Sequence, residues 1–137
     1  MLLSMWPTAA LAANTTATKV DSISAGDLVV ISSPRAGQAM GATGKQYTSS
    51  GKTKDQLAAV TAPSADNAYT VQADTAVLRV YVDEDDNYVF QNAEDGRFLY
   101  LDGTHVRLTE ERGEYTSYQL EQPESAAPGN YFIKSVN

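Results

Sequence analysis

At 137 residues the chain is the length of one ordinary domain with a modest hydrophobic core. Its 17 acidic and 10 basic residues leave a formal charge of −7, with the basic residues dispersed, which disfavours binding to nucleic-acid phosphates. There is no cysteine, so disulfides, thiolate metal sites, iron–sulfur clusters and cysteine catalysis are excluded.

Met1 to Ala13, MLLSMWPTAALAA, carries no charge. Leu2, Leu3, Met5 and Trp6 form a short apolar run that Pro7 breaks, and Ala10-Leu11-Ala12 has the small-x-small form of a signal-peptidase site. Residues 1–13 therefore read as the last part of a signal peptide, pointing to a secreted or cell-surface protein; a buried first helix or strand is the alternative. The run is too short for stable membrane insertion, which takes about 20 apolar residues. Residues 14–25 read as a polar tether, and 26–137 as a single all-β domain.

Gly26 and Asp27 set a turn before Leu28 to Ile31 (LVVI), the first strong strand signal. Ser32 to Gly37 (SSPRAG) is a turn, and Gln38-Ala39-Met40 a short return strand. Gly41 to Asp55, rich in Gly, Ser, Thr and Lys, reads as a long loop. Leu57 to Val60 fits a strand or one helical turn. Pro63 to Asn67 is a turn, with strands at Tyr69 to Val71 and Ala76 to Val82.

Val80 and Val82 alternate with Tyr81 before the acidic interruption Asp83 to Asn87; Tyr88 and Phe90 then resume the alternation. Asn92 to Gly96 turns the chain into Phe98 to Leu101, where two phases are open: Phe98 and Tyr100 inward, or Leu99 and Leu101 inward. Asp102-Gly103 is a tight-turn signal leading to Thr104–Leu108. Glu110 to Gly113 forms a charged bend, Tyr118 to Leu120 a strand, Pro123 to Gly129 a loop, and Tyr131 to Ile133 the last strand. No 3.6-residue periodicity persists anywhere, so the fold class is all-β and antiparallel.

Three segments resemble one another: DLVVISSPRAGQAM from Asp27, DNYVFQNAEDGRFL from Asp86 and GNYFIKSVN from Gly129. Setting Gly37 on Gly96 places Val29 on Tyr88 and Ile31 on Phe90; the terminal segment places Tyr131 on Tyr88 and Ile133 on Phe90. Leu78-Arg79-Val80 and Tyr118-Gln119-Leu120 form a further matching pair. Repeated units of about 40 residues built from short strands suggest a β-trefoil-like fold or small barrel whose third unit is incomplete.

The form Tyr-x-Phe/Ile-x-Asn/Ser, then Gly, then a short apolar strand resembles the repeating unit of ricin-type β-trefoil lectin modules. It is also similar to accessory modules appended to large secreted proteins of Gram-positive bacteria. The resemblance spans Gly26 to Asn137 and implies a carbohydrate-binding role. The Gln-x-Trp signature of such lectins is absent: Tyr118-Gln119-Leu120 stands in that region, and the single tryptophan is Trp6.

Asp83, Asp85 and Asn87 have the 1, 3, 5 spacing of an EF-hand loop and Glu94 falls at position 12, but Tyr88 occupies the position that requires glycine. The segment reads instead as a solvated acidic hairpin that discourages edge pairing. His105, the single histidine, shares a strand face with Arg107 opposite Val106 and Leu108, and is expected to be exposed. No catalytic residue, metal ligand or cofactor is assigned. Aromatics off the core face, with Asp or Asn nearby, give the candidate ligand-binding set Tyr81, Asn92, Tyr100 and Asp102. The expected function is a non-catalytic accessory module of an exported protein, with a glycan or another extracellular domain as partner. Its rival is a structural or protein–protein interaction domain without a small-molecule ligand.

Overall fold

The computed structural model describes residues 2–4, 16–20, 22–33, 37–61, 68–71, 73–102, 105–122 and 131–136. They form strands β1 (Leu2–Ser4), β2 (Thr16–Lys19), β3 (Leu28–Val30), β4 (Ser32–Ser33), β5 (Gln38–Ser49), β6 (Lys52–Thr61) and β7 (Ala68–Thr70). The second half adds β8 (Leu78–Val82), β9 (Tyr88–Asn92), β10 (Phe98–Asp102), β11 (His105–Thr109), β12 (Tyr118–Glu121) and β13 (Phe132–Ser135). The fold is all-β and antiparallel, in two sheets. One runs β11-β10-β9-β8-β3-β1-β2-β7, with β12 paired to both β9 and β13, and curls into a half-barrel; the other is β4-β5-β6.

Burial explains the apolar run at β3. Leu28 and Val30 pack with Ala17, Ala39 and Val71, while Val29 faces the opposite way into Leu78, Val80, Phe90, Leu99 and Tyr118. A strand with core on both faces must be apolar throughout, whereas β8 buries Leu78 and Val80 on one face with Arg79 half-buried between them. At its end both Tyr81 and Val82 are exposed, so the expected alternation stops at Val80. In β10, Leu99 takes the inward phase at 1% exposure and the aromatics Phe98 and Tyr100 lie half-buried on the other face.

The aligned segments pair alike. Ser32↔Ala39 corresponds to Gln91↔Phe98 in the Gly37-on-Gly96 alignment, and both glycines have left-handed backbone, φ 63° and 78°. Val80↔Phe90 and Leu78↔Asn92 correspond to Leu120↔Ile133 and Tyr118↔Ser135. A further pairing matches under the same alignment: Val29↔Leu78 corresponds to Tyr88↔Tyr118.

The expected loop from Gly41 to Asp55 is instead most of a long hairpin, β5 turning through Ser50 and Gly51 (φ 53° and 73°) into β6. Its low apolar content reflects solvated strands, not irregular backbone. Gly44 acts as a close-packing residue: a Cβ there would lie 2.8 Å from the Gln56 carbonyl oxygen, beside a register shift between Met40 and Gly44. Leu57 to Val60 is strand, within β6. Thr16–Lys19, inside the stretch read as a tether, forms β2, and Ala17 and Ile23 are buried. Leu2–Ser4, inside the stretch read as the end of a signal peptide, forms β1 between β3 and β2. The expected processing site at Ala10-Leu11-Ala12, the expected turn at Pro63–Asn67 and the expected loop at Pro123–Gly129 lie outside the described residues.

Candidate ligand-binding cleft

Period-2 geometry places Tyr100 and Asp102 on one face of β10, opposite Arg107 and His105 of β11 in the pairs Tyr100↔Arg107 and Asp102↔His105. The β5–β6 hairpin supplies Tyr47 and Lys54, themselves a cross-strand pair, to the same group. The Tyr47 hydroxyl donates to Asp102 Oδ2 at 2.7 Å, Lys54 Nζ stands 3.3 Å from the same oxygen, and Arg107 Nη1 3.6 Å. These donors hold the Asp102 carboxyl below its usual range, Tyr47 contributing most and Lys54 next. Reciprocally, the Tyr47 phenol is pushed up, first by desolvation and then by its bond to Asp102.

His105 is half-buried, not exposed as the alternation of β11 suggested, because the hairpin covers that face. Its ring stacks on Tyr47 with centroids 3.7 Å apart and planes at 14°, and its Nδ1 lies 2.6 Å from Gln56 Oε1. Arg107 donates from Nε to the Asp55 carbonyl at 2.9 Å, and its guanidinium carbon sits 5.8 Å from the centre of the Tyr100 ring. Tyr100 in turn meets Tyr115 edge-on at 6.0 Å.

Beside this cluster, between the β5–β6 hairpin and the β10–β11 pair, lies a cleft of about 500 Å³ lined by Gln46, Asp55, Gln56, Arg97 and Arg107, with Leu57 and Leu108 among its apolar walls. Arg97 is oriented by Asp95, whose Oδ2 accepts from Nε at 2.7 Å and whose Oδ1 accepts from the Arg97 backbone N–H at 3.0 Å. Burial raises the Asp95 pKa, but the bonds from Arg97 outweigh it and the carboxyl lies below its usual range.

Of the residues expected from sequence, Tyr100 and Asp102 belong to the cluster and meet through Arg107. Asn92 is buried at 4% exposure; its amide donates to Asp95 Oδ1 at 3.0 Å and its Oδ1 accepts from the Glu94 backbone at 3.4 Å. Asn92 thus shapes the turn that holds Arg97. Tyr81 is exposed on β8 and lines no part of the cleft. Sequence reasoning misses Tyr47 and Lys54 because Gly41 to Asp55 reads as a loop, and it misses Gln56 and Arg107 because their partners His105 and Asp55 are distant in sequence; Arg97 is missed as well. The usable signal was Ser50-Gly51 flanked by Thr/Ser-rich arms, which is hairpin chemistry.

The acidic segment closes a turn. Asp83 Oδ1 accepts from the backbone N–H groups of Asn87 and Asp85, each at 2.9 Å, and Oδ2 accepts from Ser117 Oγ at 2.9 Å. The bond from Asn87 contributes most to lowering the Asp83 pKa. Among the described residues no three His, Asp or Glu gather as a metal site, and no helix is long and apolar enough to cross a membrane. Compared with known proteins, the chain matches no family model, no curated protein and no solved structure.

Proposed function

We propose that this chain is a non-catalytic accessory module of an exported, secreted or cell-surface protein, that its units form a β-trefoil-like repeat, and that it binds carbohydrate in the cleft between the two hairpins. The observation that carries the reading is the lining of that cleft. Gln46 and Asp55 bring acceptors beside the guanidinium donors of Arg97 and Arg107 and the amide of Gln56, in a volume of about 500 Å³. A sugar hydroxyl both donates and accepts, so neighbouring donors and acceptors on planar side chains suit it. The matched strand registers and the lectin-like segments support the repeat.

A second reading, an interaction domain for another extracellular domain, draws on Phe132, exposed at 62% on β13, and on the neighbouring exposed Val136. A glycan array followed by calorimetric titration of the best hit separates the two. Arg107→Ala and Gln46→Ala are expected to weaken binding about tenfold each, and Tyr81→Ala to leave it unchanged. Absence of saturable glycan binding by a cooperatively folded chain would remove the carbohydrate reading.

A further inference from the structure

We propose that His105 is a positioning residue that fixes the hydrogen-bonding polarity of the cleft by orienting the Gln56 amide, so that the ligand atom seated against Gln56 is an oxygen acceptor. The proposal deepens the carbohydrate reading and rests on it for the identity of the ligand. Gln56 Oε1 bears no hydrogen, so its 2.6 Å contact with His105 Nδ1 requires the proton on Nδ1. Neutral His105 is therefore the Nδ1–H tautomer. Once Oε1 is engaged, the Gln56 Nε2 hydrogens are the amide's offering to the cleft that Gln56 lines.

The imidazole cannot turn to release that bond without breaking its surroundings. Its face lies on Tyr47, whose hydroxyl is held by Asp102, and Asp102 is held by Lys54 and Arg107. The charged and titratable groups around His105 are thus Tyr47 on β5, Lys54 and Asp55 on β6, Asp102 on β10 and Arg107 on its own strand. Imidazolium also carries hydrogen on Nδ1, so the polarity set on Gln56 persists when the ring is protonated. A hydroxyl or carbonyl oxygen satisfies the resulting donor.

His105 is the single histidine, which makes its ring nitrogens directly assignable by long-range ¹H–¹⁵N NMR on the full chain. The expected spectrum of the neutral ring has Nδ1 protonated and Nε2 bare; a predominant Nε2–H tautomer overturns the assignment without reference to any ligand. Gln56→Glu then replaces the amide by a carboxylate of the same shape that still accepts from Nδ1 but donates nothing. Its affinity for the best glycan is expected to fall about tenfold. His105→Phe keeps a ring on Tyr47 while freeing the Gln56 amide, and is expected to lose several-fold. Affinity unchanged in Gln56→Glu, with wild type binding, sinks the donor role while the carbohydrate reading stands. If no glycan binds wild type, that reading fails and the tautomer alone decides the orientation of Gln56.

Discussion

Tyr118 is fully buried, yet its hydroxyl is not stranded: it donates to the Leu99 carbonyl at 3.0 Å and also reaches the carbonyl of Tyr115. Desolvation pushes its phenol far above the ordinary tyrosine range, so it stays neutral at any working pH. Tyr118→Phe keeps the ring against Phe90 but strips a donor from buried carbonyls, and is expected to cost about 1–3 kcal/mol in urea unfolding. Asp102 offers a different test. Part of the upward displacement of the Tyr47 phenol comes from this carboxylate. Asp102→Asn should therefore bring the Tyr47 ring titration, followed by NMR, down toward the ordinary tyrosine value. A titration unmoved by the substitution would assign the whole displacement to desolvation.

The β5–β6 hairpin is the element on which the cleft depends, since it brings Tyr47, Lys54, Asp55 and Gln56 to β10 and β11. Ser50 and Gly51 both have positive φ, the geometry that favours Asn-Gly in a two-residue turn. Ser50→Asn is expected to raise the melting temperature slightly, and Gly51→Ala to destabilise by about 1 kcal/mol or more. Gly44→Ala should be worse tolerated than its strand position suggests, because the added methyl meets the Gln56 carbonyl. These turn and packing demands also explain what could be read in advance. Apolar alternation marked β8, β9 and β12, where burial dictates sequence. The hairpin arms are wet on much of their surface, so Thr, Ser, Gln and Lys there carry little period-2 contrast. Tyr100 and Asp102 were legible because they belong to a patterned strand. Arg107 and Gln56 were not, because their roles arise from contacts between Gln56 and His105 and between Arg107 and Asp55, far apart in sequence. The phase of β10 needed the core itself: only packing distinguishes Leu99 inward from Phe98 inward.

At the scale of the whole molecule, three carboxyls share a direction. Asp83, Asp95 and Asp102 all titrate below their usual range in the folded chain. Their folded values lie below their unfolded ones, so the stabilisation is present above the ordinary carboxylate pKa of about 3.9. It is lost as pH falls through the lower folded values. Thermal melts from about pH 6 downward should therefore show stability falling most steeply below pH 4. A variant carrying Asp83→Asn, Asp95→Asn and Asp102→Asn should show a shallower acid slope; an unchanged slope would place the acid response elsewhere. The sheet order has a further consequence, one of timing. Because β1 is antiparallel to both β3 and β2, those two run parallel to each other with β1 between them. Processing after Ala12 or Ala13, as the export proposal entails, would draw an inner strand out from between its neighbours. An already folded chain would have to surrender backbone hydrogen bonds on both edges of β1 before a peptidase could extract it. Cleavage is then a race against sheet closure: a chain that folds before export carries its own leader locked inside, and a chain cleaved first must assemble β2 and β3 without the strand that separates them here.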